Sequence, residues 1–234
     1  TANQRKHYFE EGVGRALKAS GLERSELFLQ TKFTFRRGQD HRLPYDAAAP
    51  IATQVEQSFA SSLEHLGTDV IDSYVLHGPT QHTGLAGADW EAWRAMEAIH
   101  ASSRARLLGI SNVGLDQIEA LWQDARVRPR FVQNRCYAIR SWDRDVREFC
   151  NANGIVYQGF SLLTANRDVL SRPEVAQIAR RHGRGVAQIA FRFAIDVGML
   201  PLTGTTNADH MRADLDVFGF RLEPAEIERI ATLV

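Results

Sequence analysis

The sequence predicts an α/β fold, specifically a parallel (β/α)8 TIM barrel, on three observations. Short apolar runs alternate with longer segments whose apolar residues recur at helical spacing, the pattern of repeated strand-helix units. No Gly-x-Gly-x-x-Gly follows the first strand, as a doubly wound dinucleotide-binding sheet would want. Polar residues collect at the ends of the apolar runs, where barrels place their chemistry.

In order, the pattern predicts a helix from about Glu10 to Ala19 closed by Gly21, then a strand from Leu27 to Phe33. Ile51, Val55, Phe59, Leu63 and Leu66 step by four or three, giving one apolar stripe that ends at Gly67. Strands follow at Ile71 to His77, Arg106 to Ser111, Phe131 to Gln133, Ile155 to Phe160 and Met199 to Thr203. Between and after them, helices are predicted at Asp89 to Ala101, Leu115 to Asp124, Arg144 to Asn153, Pro173 to His182, around Val186 to Phe193, and Pro224 to Leu233. Pro173 and Pro224 suit first-turn positions, and Asn153-Gly154 turns the chain into a strand. Six strands fall short of the eight that closure requires. The expectation is one domain over residues 1–234 with its first two barrel strands ahead of Thr1; the alternative is an open six-stranded sheet.

The chain has 234 residues, 44% apolar and 24% charged, which excludes disorder and fibrous structure. Twenty-eight Lys plus Arg balance 28 Asp plus Glu, so no net field recruits nucleic acid. No apolar run reaches the roughly 18 residues of a membrane span, and no secretory signal opens the chain. A cytoplasmic protein acting on a small molecule is expected, with no membrane partner. Cys136 and Cys150 form neither a CxxC nor a metal-ligand spacing, so free thiols and no metal are expected.

Lys32 ends an apolar strand, where a buried ammonium is unfavourable unless paired or set in a polar cleft; an exposed charge at a loop start is the plain alternative. His77, before Gly78-Pro79, ends the next strand in register with Lys32 and offers a hydrogen bond or proton to a substrate oxygen. Ser111, Asn112 and Gln133 suit a carboxamide or sugar, though such residues also cap helices. Phe160 is either a stacking ring or core. The turn Thr203-Gly204-Thr205-Thr206-Asn207 leads into a helix whose first N–H groups suit a phosphate, or Thr205 or Thr206 is simply its cap.

Taken in order, Glu11 to Leu17, Leu27 to Lys32, Ile71-Asp72 through Leu76-His77-Gly78-Pro79, Leu108 to Asn112, Val132-Gln133-Asn134, Gln158 to Ser161 and Asn207 through Phe218 resemble the aldo-keto reductases. The resemblance covers nearly the whole chain. It implies a (β/α)8 barrel that reduces a small-molecule aldehyde or ketone with NAD(P)H, NADP(H) being favoured over NAD(H), by an Asp, Tyr, Lys and His tetrad. It implies Tyr8 as proton donor, Lys32 as the neighbour lowering its pKa and His77 as the group orienting the carbonyl. Ser111, Asn112 and Gln133 would hold the nicotinamide carboxamide, Phe160 would stack in place of a usual Tyr, and Ser161 and Leu162 would line the same cofactor. Gly204, Thr205, Thr206, Asn207, His210 and Asp214 would meet the adenosine end. Three departures stand out. The family Asp lies just before a Thr-Ala pair, here Thr1-Ala2, so its position precedes the chain. The spacing to Tyr8 is longer than the common pattern, and Tyr8 is assigned as the one Tyr before Lys32. The usual Lys and Arg around the 2′-phosphate read Gly204 and His210, with Asp214 for a frequent Asn. A catalytically impaired nicotinamide-binding barrel acting as a regulatory or interaction module is the alternative function.

Overall fold

A computed structural model describes residues 1–233, which fall into two compact units, Thr1–Val132 and the remainder from Gln133, the boundary lying inside a strand. In the first unit come α1 (Glu10–Ser20), β1 (Gln30–Phe33), α2 (Ile51–Leu66), β2 (Ile71–Leu76), α3 (Gly87–Ala101), β3 (Ala105–Ser111) and α4 (Leu115–Asp124). Its strands run in the order β1-β2-β3, all parallel, with Lys32 opposite Val75 and Phe33 opposite Leu76. The boundary strand β4 (Phe131–Arg135) leads to α5 (Arg144–Ala152), β5 (Val156–Phe160), α6 (Arg167–Leu170), α7 (Pro173–His182), α8 (Val186–Asp196), β6 (Met199–Pro201), α9 (Ala208–Leu215) and α10 (Pro224–Thr232). Here β5 and β6 pair in parallel. Among the described residues no helix is long and apolar enough to cross a membrane, and no group of three His, Cys, Asp or Glu side chains is placed to hold a metal.

The first unit is built on β2, every residue of which is buried. Both of its faces are covered, so even its polar residues Asp72 and Ser73 are buried. The Tyr74 ring meets Phe59 edge to face at 4.8 Å, which fixes α2 against the strand. Asp72 is buried at the start of β2, and its carboxylate accepts from Leu29 N (2.8 Å), Arg24 Nη2 (2.7 Å) and Arg106 Nη1 (3.0 Å). That carboxylate explains why the expected strand from Leu27 begins only at Gln30. Leu29 N spends its donor on a side chain, and Phe28 is half exposed against Phe131. The second unit centres on Trp142, Tyr157 and Phe193, with the Trp142 and Phe193 rings 4.9 Å apart. There β6 ends at Pro201, two residues earlier than expected, although Leu202 N still donates to Gly159 O at 2.8 Å.

Helix α1 crosses α2 at Gly14, where a Cβ would stand 2.0 Å from the His65 carbonyl oxygen, a backbone atom that cannot swing aside. Gly14→Ala is therefore expected to destabilise the first unit by about 1–3 kcal/mol. Gly204→Ala, where a Cβ meets nothing within 4 Å, serves as control. Thermal melts of the two variants check this; equal midpoints would remove the crossing as a constraint.

Candidate active site

Side chains alternate along β1, so Thr31 and Phe33 face one side while Lys32 and the following Thr34 face the other. The parallel register then carries Thr34 to His77, the first residue past β2, whose N–H donates to Phe33 O at 2.9 Å. The Thr34 Oγ1 to His77 Nδ1 separation is 2.7 Å. Tyr8 stands in the turn before α1, its ring edge-on to His77 with centroids 6.0 Å apart and 5.6 Å from Lys32 Nζ. Lys32 Nζ donates to Thr1 O at 2.8 Å. The first unit thus brings together Tyr8, Lys32 and His77, the three catalytic residues expected from the sequence. Lys32 is buried, so the alternative of an exposed charge is not what the fold makes of it.

Burial governs the protonation of all three. It pushes the Tyr8 phenol upward and takes the Lys32 ammonium down to about 8, an effect opposed by the charge of Glu10. It takes the His77 imidazolium down to about 3, helped by the charge of Lys32. Lys32, expected to lower the Tyr8 pKa, presents its ammonium to the ring and to a backbone carbonyl, while desolvation raises the phenol.

The sequence reading missed two partners of this cluster. Glu10 is buried behind β1, accepting from the Thr31 hydroxyl, from Ser62 Oγ (3.1 Å) and in contact with His65 Nδ1 (3.2 Å). Thr34 was legible in principle, since it lies two residues after Lys32 and shares its face of the strand.

Asn112 follows β3 in the left-handed region (φ 56°), and its Nδ2 donates to His77 O (2.7 Å) and Ser111 Oγ (3.1 Å). Both of its donors are thereby engaged inside the protein. Its Oδ1 has no partner among the described residues and remains an acceptor suited to a carboxamide N–H, so the donor set fits a nicotinamide.

The second unit holds the other candidates. Gln133 Nε2 donates to Gln158 Oε1 at 2.9 Å. Phe160 is half-buried at the end of β5, Ser161 follows at φ 58°, and Leu162 is buried. Before α9 the cap is Asn207, whose side chain accepts from Asp209 N (2.8 Å) and His210 N (3.2 Å), while Thr205 Oγ1 accepts from Asn207 N (3.1 Å). The cap is thus neither Thr205 nor Thr206, the alternative to a phosphate site, and Asn207 engages two of the amides offered to a phosphate. Gly204, Thr206 and His210 are exposed, and Asp214 accepts from Thr203 Oγ1 at 2.9 Å. Arg212, also exposed, pairs with Asp209 at 2.6 Å.

The sequence profile of the Aldo/keto reductase family matches residues 5–234. The chain is 29% identical to the glyoxal reductase of Bacillus subtilis (strain 168), an alignment covering 96% of this chain and 74% of the relative. It is 27% identical to the NAD/NADP-dependent indole-3-acetaldehyde reductase of Schizosaccharomyces pombe, over 96% and 75% of the two chains. The crystal structure of an aldo/keto reductase from Brucella melitensis superposes with a TM-score of 0.80 at 27% identity, covering 96% of this chain and 80% of that one. The six strands and their helices match the (β/α)8 barrel of such structures. The chain therefore belongs to the Aldo/keto reductase family and is an NAD(P)H-dependent oxidoreductase.

Proposed function

We propose that this chain reduces an aldehyde or ketone to an alcohol, with Tyr8 delivering the proton to the carbonyl oxygen. The single observation that carries this reading is the meeting of Tyr8, Lys32 and His77 across the β1–β2 register. A reduced nicotinamide supplies the hydride. As charge develops on the carbonyl oxygen, a phenol held protonated by burial is positioned to neutralise it, and the Lys32 ammonium stabilises the same charge. His77 orients the carbonyl. Ser111 and Asn112 take the carboxamide by the acceptor that Asn112 leaves open; Gln133, Phe160, Ser161 and Leu162 keep the cofactor roles that the family resemblance gives them.

NADPH is proposed as the preferred donor, by a narrow margin. Gly204 and His210 stand where a Lys and an Arg are usual, and the Arg212 charge is shared with Asp209. An exposed charge contributes roughly 0.2–1 kcal/mol. The ratio of kcat/KM for NADPH over NADH is therefore expected to lie below about tenfold; a ratio in the hundreds would show a phosphate grip that these residues do not form.

Tyr8→Phe is expected to lower turnover by roughly 10²–10⁴-fold while NADPH still binds. An aldehyde panel that includes glyoxal, read by NADPH oxidation, checks this, and a Phe variant turning over at the parent rate would end the assignment. The pH profile follows from the shifts. Lys32 is an ammonium below about 8 and neutral above it, so kcat/KM is expected to fall on the alkaline side with a midpoint near 8. His77, pushed down to about 3, stays neutral through the working range and contributes no acid limb near 6. Lys32→Met should abolish the alkaline limb, and an acid limb that disappears in His77→Gln would contradict the assignment.

A further inference from the structure

His77 orients a carbonyl only through a ring nitrogen that carries a proton. A neutral imidazole has one N–H, and only the nitrogen carrying it donates to a carbonyl oxygen. The other nitrogen repels that oxygen with a lone pair. The partner of Nδ1 decides which nitrogen holds the proton, and that partner is Thr34 Oγ1 at 2.7 Å.

Thr34 is buried, and among the described residues its hydroxyl has no hydrogen-bond partner other than His77. Were Nδ1 to donate, the hydroxyl proton would be left buried without an acceptor, which is unfavourable by about 1–3 kcal/mol. The satisfied arrangement has the hydroxyl donating. Thr34 is itself held in place: its carbonyl accepts from Tyr45 Oη (2.8 Å) and Gln39 Nε2 (3.4 Å). Its methyl faces Gly38, where a Cβ would stand 2.7 Å from Thr34 Cγ2. The charged and titratable side chains around the ring are Tyr8, Lys32 and His7. None of them accepts a hydrogen bond from Nδ1.

We propose that Thr34 is a positioning residue for carbonyl reduction: its hydroxyl donates to His77 Nδ1, so the imidazole proton resides on Nε2, where it meets the substrate oxygen. This inference rests on the proposed role of His77, and its test has one readout independent of turnover. In the full chain labelled with 15N-histidine, the His77 ring, assigned by its loss in His77→Gln, is expected to show Nε2 protonated and Nδ1 as a hydrogen-bonded acceptor. In Thr34→Val the two nitrogen resonances should move toward each other as the ring loses its fixed partner, and Thr34→Ser should restore the parent pattern. Turnover on the aldehyde panel should fall roughly ten- to a hundredfold in Thr34→Val, with the NADPH dissociation constant unchanged, and recover in Thr34→Ser. A parent spectrum with the proton on Nδ1, or a valine variant whose ring nitrogens do not move, overturns the proposal. If the valine variant fails to fold, the parent and serine spectra still decide. If the parent shows the expected tautomer and yet reduces no carbonyl, it is the functional reading that fails.

Discussion

The register of β1 against β2 is the constraint on which the candidate site depends. With Lys32 opposite Val75 and Phe33 opposite Leu76, Thr34 arrives beside His77 just past the end of the pair. A slip of one residue would turn Lys32 and Thr34 to the far side of the strand and bring Phe33 or Phe35 to His77 instead. What holds the register lies at the other end of the two strands. The backbone N–H groups of Asp72 and Ser73 donate to Leu29 O, while the Asp72 carboxylate receives Leu29 N and two guanidinium groups. The Asp72 carboxylate is buried while Arg24 and Arg106 remain partly exposed, so it is held by a hydrogen-bonded cluster rather than by a buried ion pair. These bonds lie at the opposite end of the same β1–β2 pair whose alignment brings Thr34 to His77.

The same strand separates two polar environments. On the Lys32 face the groups are few, partly desolvated and tuned by burial: a raised phenol, a depressed ammonium and an imidazole kept neutral. On the Thr31 face Glu10 sits among the hydroxyls of Thr31 and Ser62 and the ring of His65. The negative charge behind the strand acts against the desolvation of the Lys32 ammonium in front of it. A lysine at the end of an apolar strand thus remains usable as a cation near neutral pH, although burial alone favours the free amine.

These arrangements differ in how far they could be read from residues alone. Helices with a clean apolar stripe, such as α2, and those opened by proline, such as α7 and α10, start where the pattern places them. The expected strand at Leu27 to Leu29 fails because a carboxylate 43 positions later replaces a ladder partner, and no local pattern encodes that. The threonines before α9 look like caps, but Asn207 is the cap, since an amide oxygen reaches the N–H groups two and three residues on. Lys32 and His77 were visible as polar residues ending apolar runs. The alternation along β1 gives the face of Thr34, which it shares with Lys32, but its role follows only once His77 is known to face it. The direction of the Tyr8 shift was equally out of reach, because it depends on desolvation, a property of the folded chain.

Backbone strain marks some of the same places. Asn112 and Ser161 both sit in the left-handed region immediately after a strand, and both are cofactor candidates from the sequence. A non-glycine residue there is disfavoured by roughly 1–2 kcal/mol, less for asparagine than for serine. At Asn112 the surroundings offset that strain, since the side chain bonds to His77 O and to Ser111 Oγ. The strained turn therefore couples β3 to the very residue that Thr34 engages from β1. His77 is held at its carbonyl from one neighbouring strand and at its ring from the other, and its freedom to reorient is reduced from both sides. Such double anchoring suits a group that must present one N–H in one direction.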